Sequence, residues 1–101
     1  IIVTYNSKND ISECIYSIKT FHPECGIYVI DNNSSDGTKD ILKSIEGIEL
    51  ILLPVNSGYS GGNNLGIKKA IQKYLINSKK KLKEVKPIKL KFAPNTKLNL
   101  K

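Results

Sequence analysis

The feature that most constrains the fold is a unit that occurs three times within residues 1–67. Each unit begins with a short apolar run, continues with a cluster rich in Asn, Ser and Gly, and ends with apolar residues at helical spacing. The apolar runs cover residues 1–5, 27–30 and 48–53. Continuous apolar runs that alternate with helices predict a parallel sheet covered on both faces by right-handed crossovers. The predicted fold class is therefore α/β.

Three helices are predicted between and after these strands. In the first, apolar residues fall at i, i+3, i+4 and i+7, and Asp10 with Glu13 resembles a capping box at its start. The residues that line the three helices are Ile11, Cys14, Ile15 and Ile18; then Ile41, Leu42 and Ile45; and last Leu65, Ala70, Ile71, Tyr74 and Leu75.

Charge divides the chain into two parts. Residues 1–67 hold four Lys and eight acidic residues, whereas residues 68–101 hold twelve Lys and one acidic residue. We predict a folded unit over residues 1–77 and a Lys-rich tail over residues 78–101. Within the tail, apolar residues alternate with Lys and favour an edge strand at 88–92.

The basic tail has two interpretations. One is compositional, since a chain with sixteen Lys and no Arg that is also rich in Ile and Asn is typical of AT-rich coding DNA. The other is an interaction module that binds nucleic acid or an anionic surface. Surfaces that bind nucleic acid favour Arg and interleaved aromatic residues, and residues 79–91 contain neither, so a nucleic-acid partner is not favoured.

Cysteine spacing and hydropathy limit the cellular compartments expected for the chain. Cys14 and Cys25 have neither metal-ligand spacing nor the density of a disulfide framework, so a reducing compartment is expected. The chain has no apolar run long enough to span a membrane and no signal-peptide pattern. It begins without Met, directly on an apolar run, which predicts that preceding residues were trimmed or are absent from this sequence.

Polar clusters follow each predicted strand, and ligands of parallel α/β sheets bind at the carboxyl ends of the strands. Asp31 could accept the ring N–H of a pyrimidine base, while Tyr5 offers an aromatic face and Thr4 a small polar neighbour. The purely structural alternative is equally favoured. In it, Asp31 and Asn33 build an Asx turn, one residue of the pair 35–36 caps the second helix, and Tyr5 packs in the core.

The third polar cluster is rich in glycine. Gly58, Gly61 and Gly62 precede the third helix, so a phosphate group could approach the backbone closely there. The alternative is a flexible loop needed only to turn the chain. Neither the common NTPase motif nor the dinucleotide-binding motif is present.

Three motifs together resemble a known family. The segments IIVTYN (1–6), VIDNNSSDGT (29–38) and NSGYSGGNNLGI (56–67) look like the nucleotide-binding half of family-two glycosyltransferases with the GT-A fold, in the rhamnosyltransferase-like branch. The resemblance implies a Rossmann-like, three-layer α/β/α half-domain with three to four mainly parallel strands. It also implies transfer of a sugar, with inversion, from a nucleotide-diphosphate donor to an acceptor hydroxyl.

Residue by residue, the resemblance implies two groups of nucleotide contacts. In the first group, Thr4, Tyr5 and Asp31 hold the base, Asn33 lies nearby, and Asn6 is a further nucleotide-binding residue. The second group lies along the ribose and diphosphate, and it comprises Gly58, Ser60, Gly61, Gly62 and Asn63. Many relatives have Arg at the position of Asn63, so backbone N–H groups would carry more of the anion binding in this chain.

The resemblance also sets expectations about cofactor, partners and location. The family's divalent metal (Mg or Mn) is held by an acidic motif, and Asn95 stands at that acidic position, so we expect no competent metal site. The donor is expected to be of UDP or dTDP type, and the acceptor a glycan or a lipid-linked glycan.

No catalytic residue is assigned, so the chain is expected to be a truncated donor-binding portion, inactive alone. It is expected to be cytoplasmic, either free or peripheral to the inner face of the membrane, and to self-associate through an open sheet edge.

Overall fold

A computed structural model describes residues 1–84 of the chain, with side chains through Lys81. The predicted edge strand at 88–92 and Asn95 lie outside the described residues.

Three strands alternate with three helices, in the predicted order. The elements are β1 (Ile2–Thr4), α1 (Ile11–Phe21), β2 (Tyr28–Asp31), α2 (Thr38–Ser44), β3 (Glu49–Leu52) and α3 (Gly58–Glu84). The strands form one parallel sheet in the order β1-β2-β3, so β1 and β3 are its edges among the described residues. The predicted α/β class and parallel pairing are confirmed.

One face of the sheet packs against α1 and α2. Ile2, Val29 and Leu50 are paired across the three strands and project to this face. Ile11 and Ile15, one helical turn apart, are buried beneath them. Successive side chains of a strand point to opposite faces of the sheet. The residues that follow Ile2, Val29 and Leu50 therefore project to the other face.

The start of α1 differs from the prediction. Asp10 is the residue before the helix, but its side chain makes no capping hydrogen bond, so the predicted capping box is wrong. The carbonyl oxygen of Ser7 instead accepts from the backbone N–H groups of Asp10 (3.1 Å) and Ile11 (2.9 Å). These backbone hydrogen bonds satisfy N–H groups at the start of α1, so no carboxylate is needed to accept from them. Cys14, predicted on the packed face, is exposed.

The other face of the sheet packs against α3. Val3 and the fully buried Ile30 belong to this face, and α3 contacts both β1 and β2. Two glycines, one turn apart, make the contact close. A Cβ added to Gly62 would lie 2.7 Å from Val3 Cγ1, and one added to Gly66 would lie 2.6 Å from Ile1 Cγ2. The three layers are therefore helices α1 and α2, the sheet, and helix α3.

Helix α3 is longer at both ends than the sequence pattern predicts. It begins at Gly58, whereas we predicted a loop as far as residue 62, and it runs past residue 77 to Glu84. From residue 67 onward it exposes large apolar side chains, which are Ile67, Ile71, Tyr74, Leu75 and Ile76. None of the helices in residues 1–84 is both long and apolar enough to cross a membrane.

Candidate functional site

The candidate site lies at the carboxyl edge of the sheet. Thr4, Asp31 and Leu52, the last residues of the three strands, are partners in the strand register. The loops that follow them therefore leave the sheet along one line. This arrangement confirms that the three polar clusters share one edge, which is where ligands of parallel α/β sheets bind.

Asn32 joins the second and third loops to each other. Its side-chain Nδ2 donates to the carbonyl oxygen of Gly58 (3.0 Å), and its Oδ1 accepts from the backbone N–H and the hydroxyl of Ser57 (3.1 Å each). Its backbone N–H donates to the carbonyl oxygen of Thr4 (2.8 Å). The side chain is almost fully buried. One amide thus positions the start of α3 relative to β1.

Asp31 shapes the second loop from within. Its side chain is fully buried, and its two carboxylate oxygens accept from the backbone N–H (2.9 Å) and the hydroxyl (2.6 Å) of Ser34. Ser34 Oγ also accepts from the backbone N–H of Asn6 (2.8 Å), while Asn6 Oδ1 accepts from the N–H of Ser35 (2.8 Å). The first two loops are therefore linked reciprocally, and Asp31 has the turn-building contacts of the structural alternative.

A second link between the same loops lies at the start of α2. Asp36 Oδ1 accepts from the backbone N–H of Thr38 (3.0 Å) and from its hydroxyl. The N-cap residue of α2 is Gly37 and not residue 35 or 36 as predicted, but Asp36, one position earlier, satisfies the first N–H of the helix. The Oδ2 atom of Asp36 accepts from the N–H of Lys8 (3.2 Å). The hydrogen bond from the Thr38 hydroxyl is the main reason that the pKa of Asp36 lies below its ordinary value.

Two asparagines at this edge have left-handed backbone conformations. The φ angles of Asn6 and Asn33 are 49° and 62°. Asn adopts this region more readily than most side chains do, which explains its use in these tight loops. Asn33 is exposed, and its Oδ1 accepts from Lys39 Nζ (2.9 Å). It therefore presents a polar surface at the edge.

The predicted phosphate-binding loop is the first part of α3. Residues 58–63, predicted as a loop along the ribose and diphosphate, are helical. The N–H of Gly58 donates to Asn56 Oδ1 (2.8 Å), but no side chain of the described residues accepts from the N–H groups of Tyr59 or Ser60. The first N–H groups of a helix have no partner inside the helix. Exposed backbone donors are therefore present, although at a helix start and not in a loop.

Glycine is favoured at the positions of this segment for different structural reasons. Gly58 has a φ of 76°, which favours glycine, and Gly62 is buried where a side chain would collide with Val3. A Cβ on Gly61 would meet the Ser57 side chain at 3.0 Å. Asn63 is half-buried one turn into the helix, and its Nδ2 donates to the carbonyl oxygen of Tyr59 (3.2 Å).

The two residues predicted to hold the base from β1 differ in exposure. Tyr5 is 52% exposed, so the alternative that it packs in the core is wrong. Thr4 is 3% exposed, and its hydroxyl oxygen is buried without a hydrogen-bond partner among the described residues. It lines a cavity of about 200 Å³ together with Ser7, Asp10 and Cys14. An orphaned buried hydroxyl is a group that a ligand or a water molecule would satisfy.

The described residues do not fit a divalent-metal centre at this edge. The carboxylates nearest the strand ends are Asp31, which is fully buried beneath the second loop, and Asp36, whose oxygens accept from Thr38 and Lys8. A hard cation needs several free oxygen ligands. Within residues 1–81, the one group of three side chains that could hold a metal lies elsewhere, in the turn before β2.

Sequence reasoning missed three residues of this edge. It did not single out Asn32 or Ser34, although both hold loops together, and it passed over Tyr59, which is 75% exposed at the start of α3. A usable signal was present for Ser34, since a Ser three residues after an Asp that ends a strand is typical of a side-chain turn. No local signal marks Asn32, because its partners are about 25 residues away.

Comparison with known proteins identifies the class. The model of the family "Glycosyl transferase family 2" matches residues 1–78, so the chain belongs to this family. The predicted family resemblance and the GT-A-like, three-layer fold are thereby confirmed. Members of this family commonly use a divalent metal.

Two curated relatives agree with the family. The chain is 30% identical over 77 residues to "Putative teichuronic acid biosynthesis glycosyltransferase TuaG" of Bacillus subtilis (strain 168), a match that covers 71% of this chain and 31% of that protein. It is 34% identical over 74 residues to "dTDP-rhamnosyl transferase RfbF" of Shigella flexneri, covering 72% of this chain and 24% of that protein. The chain thus aligns with less than a third of each relative. No solved structure matches it.

Proposed function

We propose that the carboxyl edge of the sheet binds the nucleotide part of a nucleoside-diphosphate sugar, as the donor-binding portion of an inverting glycosyltransferase. The observation that carries this proposal is the family match, because residues 1–78 include all three loops of the edge. The unpartnered hydroxyl of Thr4 and the free N–H groups at the start of α3 support it.

The base is proposed to lie against Tyr5. An exposed ring at the end of β1 offers a flat surface for stacking, and stacking is tolerant of which base is present. Thr4, Asn6 and Asn33 line the same region, and Asn33 is exposed enough to hydrogen-bond a base edge. These roles are as the family resemblance implies.

Asp31 is proposed to accept an N–H of the base. Each carboxylate oxygen takes one hydrogen bond from Ser34 and keeps a further acceptor position. Because the carboxylate has no exposed surface, the loop of residues 32–36 must shift when the base arrives. Asp31 therefore has two roles, as a turn builder in the free chain and as a base contact in the complex.

The diphosphate is proposed to lie at the start of α3. Anions bind well at a helix start, since the N–H groups and the helix dipole both favour negative charge. The first turn of α3 has no acidic residue to oppose this. Gly61 and Ser60 leave the backbone accessible, while Gly62 acts through packing and Asn63 adds a polar but uncharged side chain.

The remaining expectations extend the same proposal. The donor is proposed to be of dTDP or UDP type, the first because one relative is named a dTDP-rhamnosyl transferase. The acceptor is proposed to be a glycan or lipid-linked glycan, and any Mg or Mn would depend on ligands other than Asp31 and Asp36. We assign no general base among residues 1–84, so catalysis by these residues alone is not proposed.

Assembly and location stay predictions. The outer edge of β1 is unpaired among the described residues, so pairing of two chains through it is proposed, and sedimentation that shows only a monomer would contradict it.

A cytoplasmic location at the inner face of a membrane is likewise proposed, and so is the division of the chain at residue 77. The alternative is an interaction module whose Lys-rich tail, residues 78–101, binds nucleic acid or an anionic surface. It is tested by salt-dependent binding to single-stranded nucleic acid, which deletion of residues 79–101 should abolish.

Calorimetric titration with dTDP, UDP and GDP, with and without Mn²⁺, tests the proposed function. We expect saturable binding of at least one nucleotide. Tyr5→Ala should weaken it by about 5-fold to 150-fold, since stacking on an aromatic ring contributes ~1–3 kcal/mol per base. Tyr16→Ala is the matched control, because Tyr16 is similarly exposed (57%) but lies on α1. No binding of any nucleotide, or equal losses in both variants, would contradict the proposal.

A further inference from the structure

A second cluster of reactive side chains lies at the opposite edge of the sheet. His22, Glu24 and Cys25 belong to the turn that joins α1 to the amino end of β2. The nucleotide site proposed above lies at the carboxyl ends of the strands, so the two places are separate. His22 is the only His of the chain, and Cys25 is one of its two Cys. We propose that this turn is a surface site for a transition-metal ion, with Zn²⁺ as the best fit.

The backbone of the turn is fixed by two hydrogen bonds. The N–H of His22 donates to the carbonyl oxygen of Ile18 (2.7 Å) where α1 ends, and the N–H of Cys25 donates to the carbonyl oxygen of His22 (3.0 Å). Pro23 stands at the second position of this four-residue turn, where its fixed φ is favoured. The three candidate ligand side chains therefore project from a backbone that these hydrogen bonds hold in place.

The distances between the ligand atoms are close to those of a metal site. His22 Nδ1 lies 3.7 Å from Glu24 Oε1, and Cys25 Sγ lies 3.9 Å from the same oxygen. All three ligand atoms are within 4.8 Å of one another. In a tetrahedral zinc site with bonds of about 2.0–2.3 Å, neighbouring ligand atoms are about 3.3–3.8 Å apart. Small side-chain rotations would therefore bring the three atoms to the corners of one tetrahedron.

The chemistry of the ligand set selects the metal. A thiolate, an imidazole and a carboxylate suit Zn²⁺ and similar borderline ions, whereas Mg²⁺ and Mn²⁺ prefer oxygen ligands alone. All three residues are exposed, so a water molecule or another ligand can take the fourth position. The proposed site therefore differs in ligand type from the acidic motif that holds the family's divalent metal.

The full chain, kept reduced, can be titrated with Co²⁺ as a spectroscopic substitute for Zn²⁺. A bound thiolate gives a sulfur-to-cobalt charge-transfer band, so its appearance at one equivalent of metal is expected. Cys25→Ser should abolish the band. Cys14→Ser is the matched control, because Cys14 is also an exposed free thiol but lies on α1, and it should retain the band. A band that survives in Cys25→Ser, or no band in the unchanged chain, would overturn the proposal.

Competition for Zn²⁺ with a chromophoric chelator tests the other two ligands. His22→Gln and Glu24→Gln should each weaken zinc affinity by at least ~10-fold, a loss seen even when only a supporting partner of a metal ligand is removed. Glu46→Gln, which changes an exposed carboxylate in another loop, should leave the affinity unchanged. Circular dichroism verifies that each variant is folded. An affinity for Zn²⁺ that stays the same in His22→Gln would contradict the site, whatever the outcome of nucleotide titration.

Discussion

Gly62 of α3 lies directly against Val3 of β1, so closely that a Cβ on the glycine would be 2.7 Å from Val3 Cγ1. The same added Cβ would be 3.5 Å from the side-chain nitrogen Nδ2 of Asn32. The contact therefore sets how near the start of α3 lies to the ends of β1 and β2, and it holds the helix start at the candidate nucleotide site.

Gly62→Ala is expected to destabilise the fold. Overpacking typically costs ~1–3 kcal/mol, and Ala returns up to ~1 kcal/mol of helix propensity, so the net loss should be about 1–2 kcal/mol in urea unfolding. The control is the same change in a Val3→Ala background, where the colliding methyl groups are absent. There the cost should fall or reverse, whereas equal costs in the two backgrounds would show that the contact is unimportant.

Asn32→Ala is expected to loosen the carboxyl edge. It removes the donor to Gly58 and the acceptor of Ser57, and loss of such a buried partner costs ~1–3 kcal/mol. Asn33→Gly is the neighbouring control. It removes an exposed amide while a positive φ remains accessible, so its effect should stay within about 0.5 kcal/mol. Urea unfolding compares the two, and a larger loss for Asn33→Gly would contradict the role of Asn32.

Asp36 is expected to make stability depend on acid pH. Its pKa in the folded chain is lowered, chiefly by the hydrogen bond from the Thr38 hydroxyl. The stabilisation is therefore present above the unfolded pKa, near 3.8, and is lost as the pH falls through the still lower folded pKa. The difference in unfolding free energy between the chain and Asp36→Asn should be constant near neutral pH and shrink below pH 3.8.

Glu46→Gln is the control for that pH dependence, since its carboxylate is exposed in the loop after α2. A similar acid-dependent difference in Glu46→Gln would mean that general charge effects, and not the hydrogen bonds of Asp36 at the start of α2, are responsible. Chemical unfolding at a series of pH values from 2 to 7 measures both differences.

The strands and two of the helices could be predicted because their signals are local. Ile11 and Ile15 repeat at the helical period and are buried, and the β-branched run before Asp31 forms the central strand. The start of α3 could not be predicted, because Gly is a poor helix former and Gly58 to Gly62 look like a loop. Tertiary packing of Gly62 on Val3 overrides that preference.

The candidate site was predicted in place but not in detail. Parallel strands put the three polar clusters on one edge whatever their side chains do, so Tyr5 and Asn33 could be assigned to it. The contacts of Asn32 could not be predicted, since they join residues that are distant in sequence. For Asp31, the pattern allowed either a base contact or a turn, and burial of its carboxylate shows the turn in the free chain.

Chemical-shift mapping of the backbone amides during titration with dTDP or UDP is the sharpest test of nucleotide binding at the carboxyl edge. We predict that the amides of Tyr5, Asn33 and Tyr59 to Gly61 shift together with one affinity, because they line this edge. The amides of Cys25 and Gly47, in turns at the opposite edge, should stay unchanged. Shifts confined to the opposite edge, or none at saturating nucleotide, would contradict a donor site at the carboxyl ends of the strands.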